Sequence, residues 1–369
     1  MTKRIVLVLL ILIAILGYLY LDNIDPHSEK VISHIDTSPI DFGDDSLITF
    51  FESGFAVTRE NKSSFYDYSG KPVDIPFEDE NGSNITGTIT DSTDNYIVVD
   101  NKYLYNTTSI PFKFILDFPR ETAWTIEEFD NGLLLVAKAG DMLDVYILKG
   151  KDYSLDKVEN MDDLSYITSS FAPSSDAFSI ITIDSMSPAP SNKILHFLDA
   201  HSPYGVLDVG NEMYYKIFRQ EDFFTLLGLH WIKCYDMIGT LRWEKNIPHV
   251  LEAQVLNLGK DLVLYFNNRY IEDRNNALAI THKGEANLLA MERGLHHLTR
   301  YKSHYIGVRE RNNIIILGSR GDVAEEYKID IDVDGIYWTH FSPETVFFQS
   351  DSNIYIYSIY SQTERGETK

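Results

Sequence analysis

The chain has 369 residues, 44% of them hydrophobic and 24% charged, a balance that excludes disordered, collagen-like and disulfide-framework classes. Its 55 acidic residues outweigh 32 basic ones to give a formal net charge of -23, and a body of that sign is repelled by nucleic-acid phosphate and by anionic lipid headgroups. Cys234 is the only cysteine, which excludes an intramolecular disulfide and a multi-cysteine zinc site.

Residues 1–28 read as a cytoplasmic start, a transmembrane helix and a short stalk. Lys3 and Arg4 precede an apolar and aromatic run from Ile5 to Leu21, with Asp22 and Asp25 just beyond it. At about 1.5 Å of rise per residue, this run and its flanks reach across a hydrocarbon core of roughly 30 Å. The basic residues hold the amino terminus in the cytoplasm and place the remaining chain outside the membrane. A cleaved secretory signal shares the basic start and the apolar stretch. Small-x-small spacing is poor here, because Gly17 is followed by Tyr18, Leu19, Tyr20 and Leu21, so an uncleaved anchor is expected.

From residue 29 to residue 360 short β-branched and aromatic runs recur between turn residues, and helical periodicity is scarce. One kind of turn marks the repeat, a polar or glycine pair followed at once by an apolar strand. Its second residues are Gly54, Asn95, Gly132, Asp176, Asp222, Asp261, His304 and Glu344. Their spacing averages about 41 residues, the length of a four-stranded propeller blade. A strand precedes each landmark: Leu47 to Phe51, Ile85 to Thr90, Ala123 to Phe129, Leu164 to Phe171, Met213 to Phe218, Leu251 to Asn257, His297 to Tyr301 and Ile336 to Phe341. In four units a later hairpin ends in glycine, at Gly70, Gly239, Gly284 and Gly321, where a positive φ closes a turn without steric cost.

With strands lettered A to D from the hub outwards, the chain supplies eight A strands but ends too soon for an eighth D strand. Lys30 to Ile35 is expected to fill that place and close the ring by pairing the two ends. The predicted fold is all-β, an eight-bladed β-propeller with seven blades as the alternative count, followed by a polar tail at residues 361–369.

The segment Cys234-Tyr-Asp236-Met-Ile-Gly239-Thr-Leu-Arg-Trp243 resembles the repeat of the quinoprotein-like propellers, Ala-x-Asp-x-x-Thr-Gly followed by tryptophan. Here Cys234 replaces the alanine and the interval from aspartate to glycine is one residue shorter. Phe171-Ala-Pro-Ser-Ser-Asp176 and Phe341-Ser-Pro-Glu344 look instead like the turns of bacterial translocation-type propellers. The resemblance implies a membrane-anchored bacterial propeller, and the nearest functional analogy is with non-catalytic members that present a surface to other proteins. The quinone dehydrogenases of that family use a vicinal cysteine pair, which one cysteine cannot provide, so no cofactor is expected.

Several motifs read more simply as structure. Asp330, Asp332 and Asp334 match the first half of a calcium loop, but the twelfth position is Phe341 where a bidentate Glu is needed, leaving only a weak calcium candidate. Arg320-Gly321-Asp322 falls where the repeat already requires a glycine turn. Asn61, Asn81, Asn84 and Asn106 sit in Asn-x-Ser/Thr triplets, which matter only in a glycosylating pathway. Cys234 reads as a buried inert thiol, and Ser174, Ser175 and His201 assemble into no hydrolase motif.

The hub is the one place where a pocket is expected. Counting seven residues back from each landmark selects Leu47, Thr88, Thr125, Ser169, Tyr215, Gln254, His297 and Tyr337 as channel lining. Four back lie Asp91, Glu128, Asn257, Arg300 and His340, with Arg219 nearby, a mixed-charge mouth. Glu128, Arg219, His297, Arg300 and Tyr337 are the candidate binding residues. The expected function is an extracytoplasmic, membrane-tethered scaffold that recognises an envelope protein or a glycan, with no role in nucleic-acid binding. The alternatives are a carbohydrate hydrolase or lyase, tested by whether Glu128, His297 and Arg300 converge, and a sensor with its ligand in the hub.

Overall fold

The structure, a computed structural model, describes residues 30–35, 38–43, 45–85, 87–118, 122–129, 132–139, 142–149, 153–158, 164–172, 177–184, 191–197, 203–210, 212–258, 261–318 and 321–361. The expected anchor and stalk at residues 1–28, the tail beyond Ser361, and Ser174, Ser175, His201 and Arg320 lie outside the described residues. Among the described residues no helix is long and apolar enough to cross a membrane.

Eight antiparallel sheets form the blades, seven of them from consecutive strands. Blade 1 comprises Leu47–Phe51, Gly54–Arg59, Lys62–Tyr66 and Pro72–Val73. Blade 2 comprises Ile89–Ser92, Tyr96–Val99, Tyr103–Asn106 and Lys113–Asp117. Blade 3 is built from Trp124–Phe129, Gly132–Ala139, Met142–Lys149 and Ser154–Lys157. Leu164–Phe171, Phe178–Asp184, Ser191–Phe197 and Pro203–Gly210 make blade 4. Blade 5 follows with Tyr214–Arg219, Phe223–Gly228, Trp231–Asp236 and Leu241–Asn246. Blade 6 holds Gln254–Leu258, Asp261–Tyr265, Ala277–Ile280 and Ala286–Leu289. Blade 7 holds His296–Tyr301, His304–Arg309, Asn313–Leu317 and Val323–Lys328.

Blade 8 contains Gly335–Trp338, Thr345–Ser350 and Asn353–Ser361, and its fourth strand is Lys30–His34 from the other end of the chain. Lys30 pairs with Ser361, Ile32 with Ile359 and His34 with Tyr357. The ring therefore closes as the count of strands requires. Ile40–Asp41 adds a further short pairing along Asn353–Ser361.

Blade 2 begins later than the spacing predicts. Asn84–Ile85 does not enter its A strand but pairs with Phe77–Glu78 in an extra hairpin between blades 1 and 2. Asp79 stabilises that hairpin by accepting from the backbone N–H groups of Asn81 and Ser83. Blade 6 starts later as well, because Val250–Glu252 forms a turn of 3-10 helix before Gln254.

The B strands lie between two neighbouring blades and are buried on both faces. Phe223–Gly228 is buried at every position, which explains its mostly apolar sequence, broken only by Thr225. The D strands at the rim are more exposed, as at Ser154–Lys157, which is exposed throughout. The core is accordingly a circle of seams. Phe55 and Val57 of blade 1 pack with Phe347, Ile354 and Ile356 of blade 8, while Ile181 and Ile194 of blade 4 pack with Ile217, Phe224 and Leu226 of blade 5.

Gly70, Gly239, Gly284 and Gly321 all have positive φ, as their turns require. The carboxylate of Asp67 accepts from the N–H groups of Ser69 and Lys71, and that of Asp236 from Ile238 and Thr240. Trp243 then ties blade 5 to blade 6 by donating its indole N–H to the carbonyl of Gly284 at 2.6 Å.

Candidate functional site

All eight A strands run in the same direction, so their carboxyl ends gather at one face of the ring. A cavity of about 530 Å³ opens there across blades 3 to 6, lined by Glu127, Glu128, Ser169, Lys216, Arg219 and Asp261 among others. A neighbouring hollow lined by Thr93, Asp94 and Asn95 shares Glu127 and Glu128 with it and extends it towards blade 2. At the opposite face, where the A strands begin, a hollow of about 480 Å³ is lined by Gln254, His296, His297, Asp334 and Tyr337.

The candidate residues divide between these places. Glu128 and Arg219 line the cavity at the carboxyl ends of the A strands, His297 and Tyr337 line the hollow at the other face, and Arg300 lines neither. Four of the five are engaged locally by hydrogen bonds. Glu128 accepts hydrogen bonds from the Thr93 hydroxyl at 2.7 Å, the Asn95 N–H at 3.1 Å and the Asn95 side-chain amide at 2.6 Å. Its carboxylate thus clamps the A–B turn of blade 2 to blade 3. The buried Arg219 guanidinium donates to the carbonyls of Gln220 and Glu221, while its backbone N–H donates to the Ser170 hydroxyl.

Tyr337 donates its hydroxyl to Gln349 Oε1 at 3.0 Å. Arg300 donates Nε–H to the carbonyl of Lys302 at 3.0 Å and lies 5.8 Å from the ring centre of Trp338. His297 has a φ of 52° and stands beside His296; burial and that neighbour hold its pKa below the ordinary range. Glu128, His297 and Arg300 do not converge on one cavity, so they offer no shared catalytic arrangement.

Other polar A-strand residues act as struts between blades. Asp91 accepts from the N–H of Ile126 at 2.9 Å, and Gln254 accepts from that of Leu298 at 2.6 Å. Thr88 precedes its strand and lines a groove between blade 1 and the extra hairpin. Asp332 pairs with Arg311 at 3.4 Å and Asp334 accepts from the N–H of Asp351 at 2.9 Å. Among the described residues no group of three or more His, Cys, Asp or Glu side chains is placed to hold a metal ion. Asn106 is buried with its carbonyl oxygen turned to Thr108, whereas Asn61, Asn81 and Asn84 are exposed. Cys234 is buried opposite Thr225, and burial raises its thiol pKa.

Two charged residues of the cavity at the carboxyl ends escaped the sequence count. Glu127 accepts a short hydrogen bond from the Ser169 hydroxyl, and Ser169 lies 2.9 Å from the Tyr166 hydroxyl. Burial pushes the Glu127 pKa up, opposed by the Ser169 hydrogen bond and the positive charge of Lys216. Burial also pushes Tyr166 up to about 12. Lys216 reaches over Phe218, its Nζ 5.3 Å from the ring centre. The placing of the landmarks hides these two from a fixed-offset count. Gly132 already opens the B strand of blade 3 and pairs with Phe129, whereas Asp222 still lies in the turn of blade 5, where Arg219 pairs with Phe224, so one offset reaches different strand positions.

No protein-family model matches the chain, and no curated protein matches it in sequence. Solved structures share its fold. Sqt1 of Saccharomyces cerevisiae is 10% identical with a TM-score of 0.53, covering 89% of this chain and 100% of its own. BamB of Moraxella catarrhalis, also 10% identical over the same shares, has a TM-score of 0.48. The WD40 domain of SCAP from fission yeast is 11% identical with a TM-score of 0.49, covering 90% of this chain and 98% of its own. At these identities the likeness shows a propeller fold alone.

Proposed function

We propose that this chain is a membrane-tethered, extracytoplasmic propeller that serves as a binding scaffold for another envelope protein. The observation that carries this reading is the closure of the ring by Lys30–His34, immediately after the apolar amino-terminal segment. A tether entering blade 8 through a paired strand fixes the ring to its anchor and leaves the turns of both faces available for recognition. The many polar groups at the channel mouth that brace one blade against the next favour a rigid display platform over a reaction centre. The net charge of -23 keeps the ring off an anionic membrane surface and favours a partner recognised through specific loops. A glycan is the alternative partner class.

Crosslinking in intact cells followed by capture of the full chain tests the reading. A specific envelope protein should be recovered. Recovery of none, together with turnover of a glycan by the purified protein, overturns it. Protease added to intact cells of a single-membrane host should digest the propeller, and protection there refutes the orientation.

A further inference from the structure

In the cavity at the carboxyl ends of the A strands most charges are already engaged: Glu128 by Thr93 and Asn95, Arg219 by two carbonyls, and Asp261 by the N–H and ring nitrogen of His282. Two are not. Lys216 lines the cavity, and among the described residues no carboxylate lies within ion-pair distance of its Nζ. Glu127 holds one carboxylate oxygen on Ser169, while its other oxygen has no donor among the described residues. The two side chains stand on blades 3 and 5 and sense each other's charge without touching.

A half-buried cation and a half-buried carboxylate left apart in one cavity are poorly solvated. A molecule that presents an anion to Lys216 and N–H donors to Glu127 satisfies both at once. A ligand carrying a single charge satisfies one and leaves the other uncompensated. Polyanions are disfavoured by the field of a body carrying -23, whereas a molecule with no net charge is not. Phe171, Phe218 and Phe223 on the same walls supply apolar surface for a side chain. The volume of about 530 Å³ falls within the range of small-molecule pockets.

We propose that this cavity binds a small zwitterion of the α-amino-acid class, its carboxylate on Lys216 and its ammonium on Glu127. The site goes beyond the scaffold reading and does not depend on it.

Equilibrium dialysis of the purified full chain in detergent against an equimolar mixture of the common amino acids, read by mass spectrometry, tests the site. One or a few amino acids should be retained. Acetate and methylammonium, each carrying half of the required charge, should not be. Glu127→Gln and Lys216→Met should each weaken retention by about ten-fold or more, and Lys216→Arg should preserve it. Melting curves of every variant check folding, and Lys216→Arg keeps the comparison decisive if Lys216→Met does not fold. Retention of no amino acid overturns the proposal, as does retention unaffected by both substitutions. Retention of galacturonate in place of amino acids replaces the zwitterion by an acidic sugar and refutes the assignment. Capture of the envelope partner should be unchanged in Lys216→Met, so a failure here is distinguishable from failure of the scaffold reading.

Discussion

His196 makes the ring sensitive to acid by an amount that can be calculated. It lies on the C strand of blade 4 with 2% of its surface exposed, its Nδ1 2.7 Å from the Ser179 hydroxyl and its ring 5.0 Å from that of Phe224. Burial, aided by the positive charge of Arg219, pushes its pKa down to about 4 from an ordinary 6.5. The unfolded chain therefore binds a proton that the folded chain refuses. Stability is complete above the unfolded pKa and is lost as pH falls from about 6.5 towards 4, by about 2 kcal/mol at pH 5 and about 3 kcal/mol at pH 4. Carboxylates add their own pH dependence, so the measurement is a difference. Urea unfolding at several pH values is compared between the native protein and His196→Asn, which keeps a polar partner for Ser179 but cannot titrate. The gap between the two curves should narrow by about 2 kcal/mol between pH 7 and pH 5. Curves that stay parallel over that interval refute the reasoning.

Glu128→Ala leaves the donors of Thr93 and Asn95 without their acceptor and should cost about 2 kcal/mol in chemical denaturation. Gly284→Ala places a Cβ 3.1 Å from the Phe223 ring at a φ of 78°, and a loss of about 1 to 2 kcal/mol is expected from the same assay. Phe347→Ala empties the seam between blades 8 and 1, where its ring meets Phe50 at 5.0 Å and Phe55 at 4.9 Å. It should cost about 3 to 5 kcal/mol, read as a lowered denaturation midpoint.

The blade count was legible because B strands buried on two sides are mostly apolar, so Phe223 to Leu227 and Val346 to Phe348 stand out after their polar turns. Ring closure was legible from a missing strand and a spare one. The hairpin around Asp79 was not, because Asn84 and Ile85 sit where an A strand was due and a short β segment carries no mark of its partner. The site was legible only in part. A polar residue on an A strand serves equally as channel lining or as a strut, and the sequence does not distinguish Glu128, which clamps blade 2, from Glu127 beside it, which keeps an oxygen towards the cavity. The landmarks also sit at different points of their turns, Gly132 within the B strand of blade 3 and Asp222 before that of blade 5, so no constant offset holds.

The closing strand has a kinetic consequence. Lys30–His34 is among the first segments of the ring to be synthesised, yet its partner Asn353–Ser361 is the last. During synthesis blade 8 has to wait, and the edges of Lys30–His34 and of each newest blade stay available to other chains until the final strand arrives. Such a long-range pairing is slow to find because loop closure precedes its reward. A chain truncated before residue 353 is left as an open arc with two adhesive ends, so completion of the last strand separates a closed ring from an aggregation-prone intermediate.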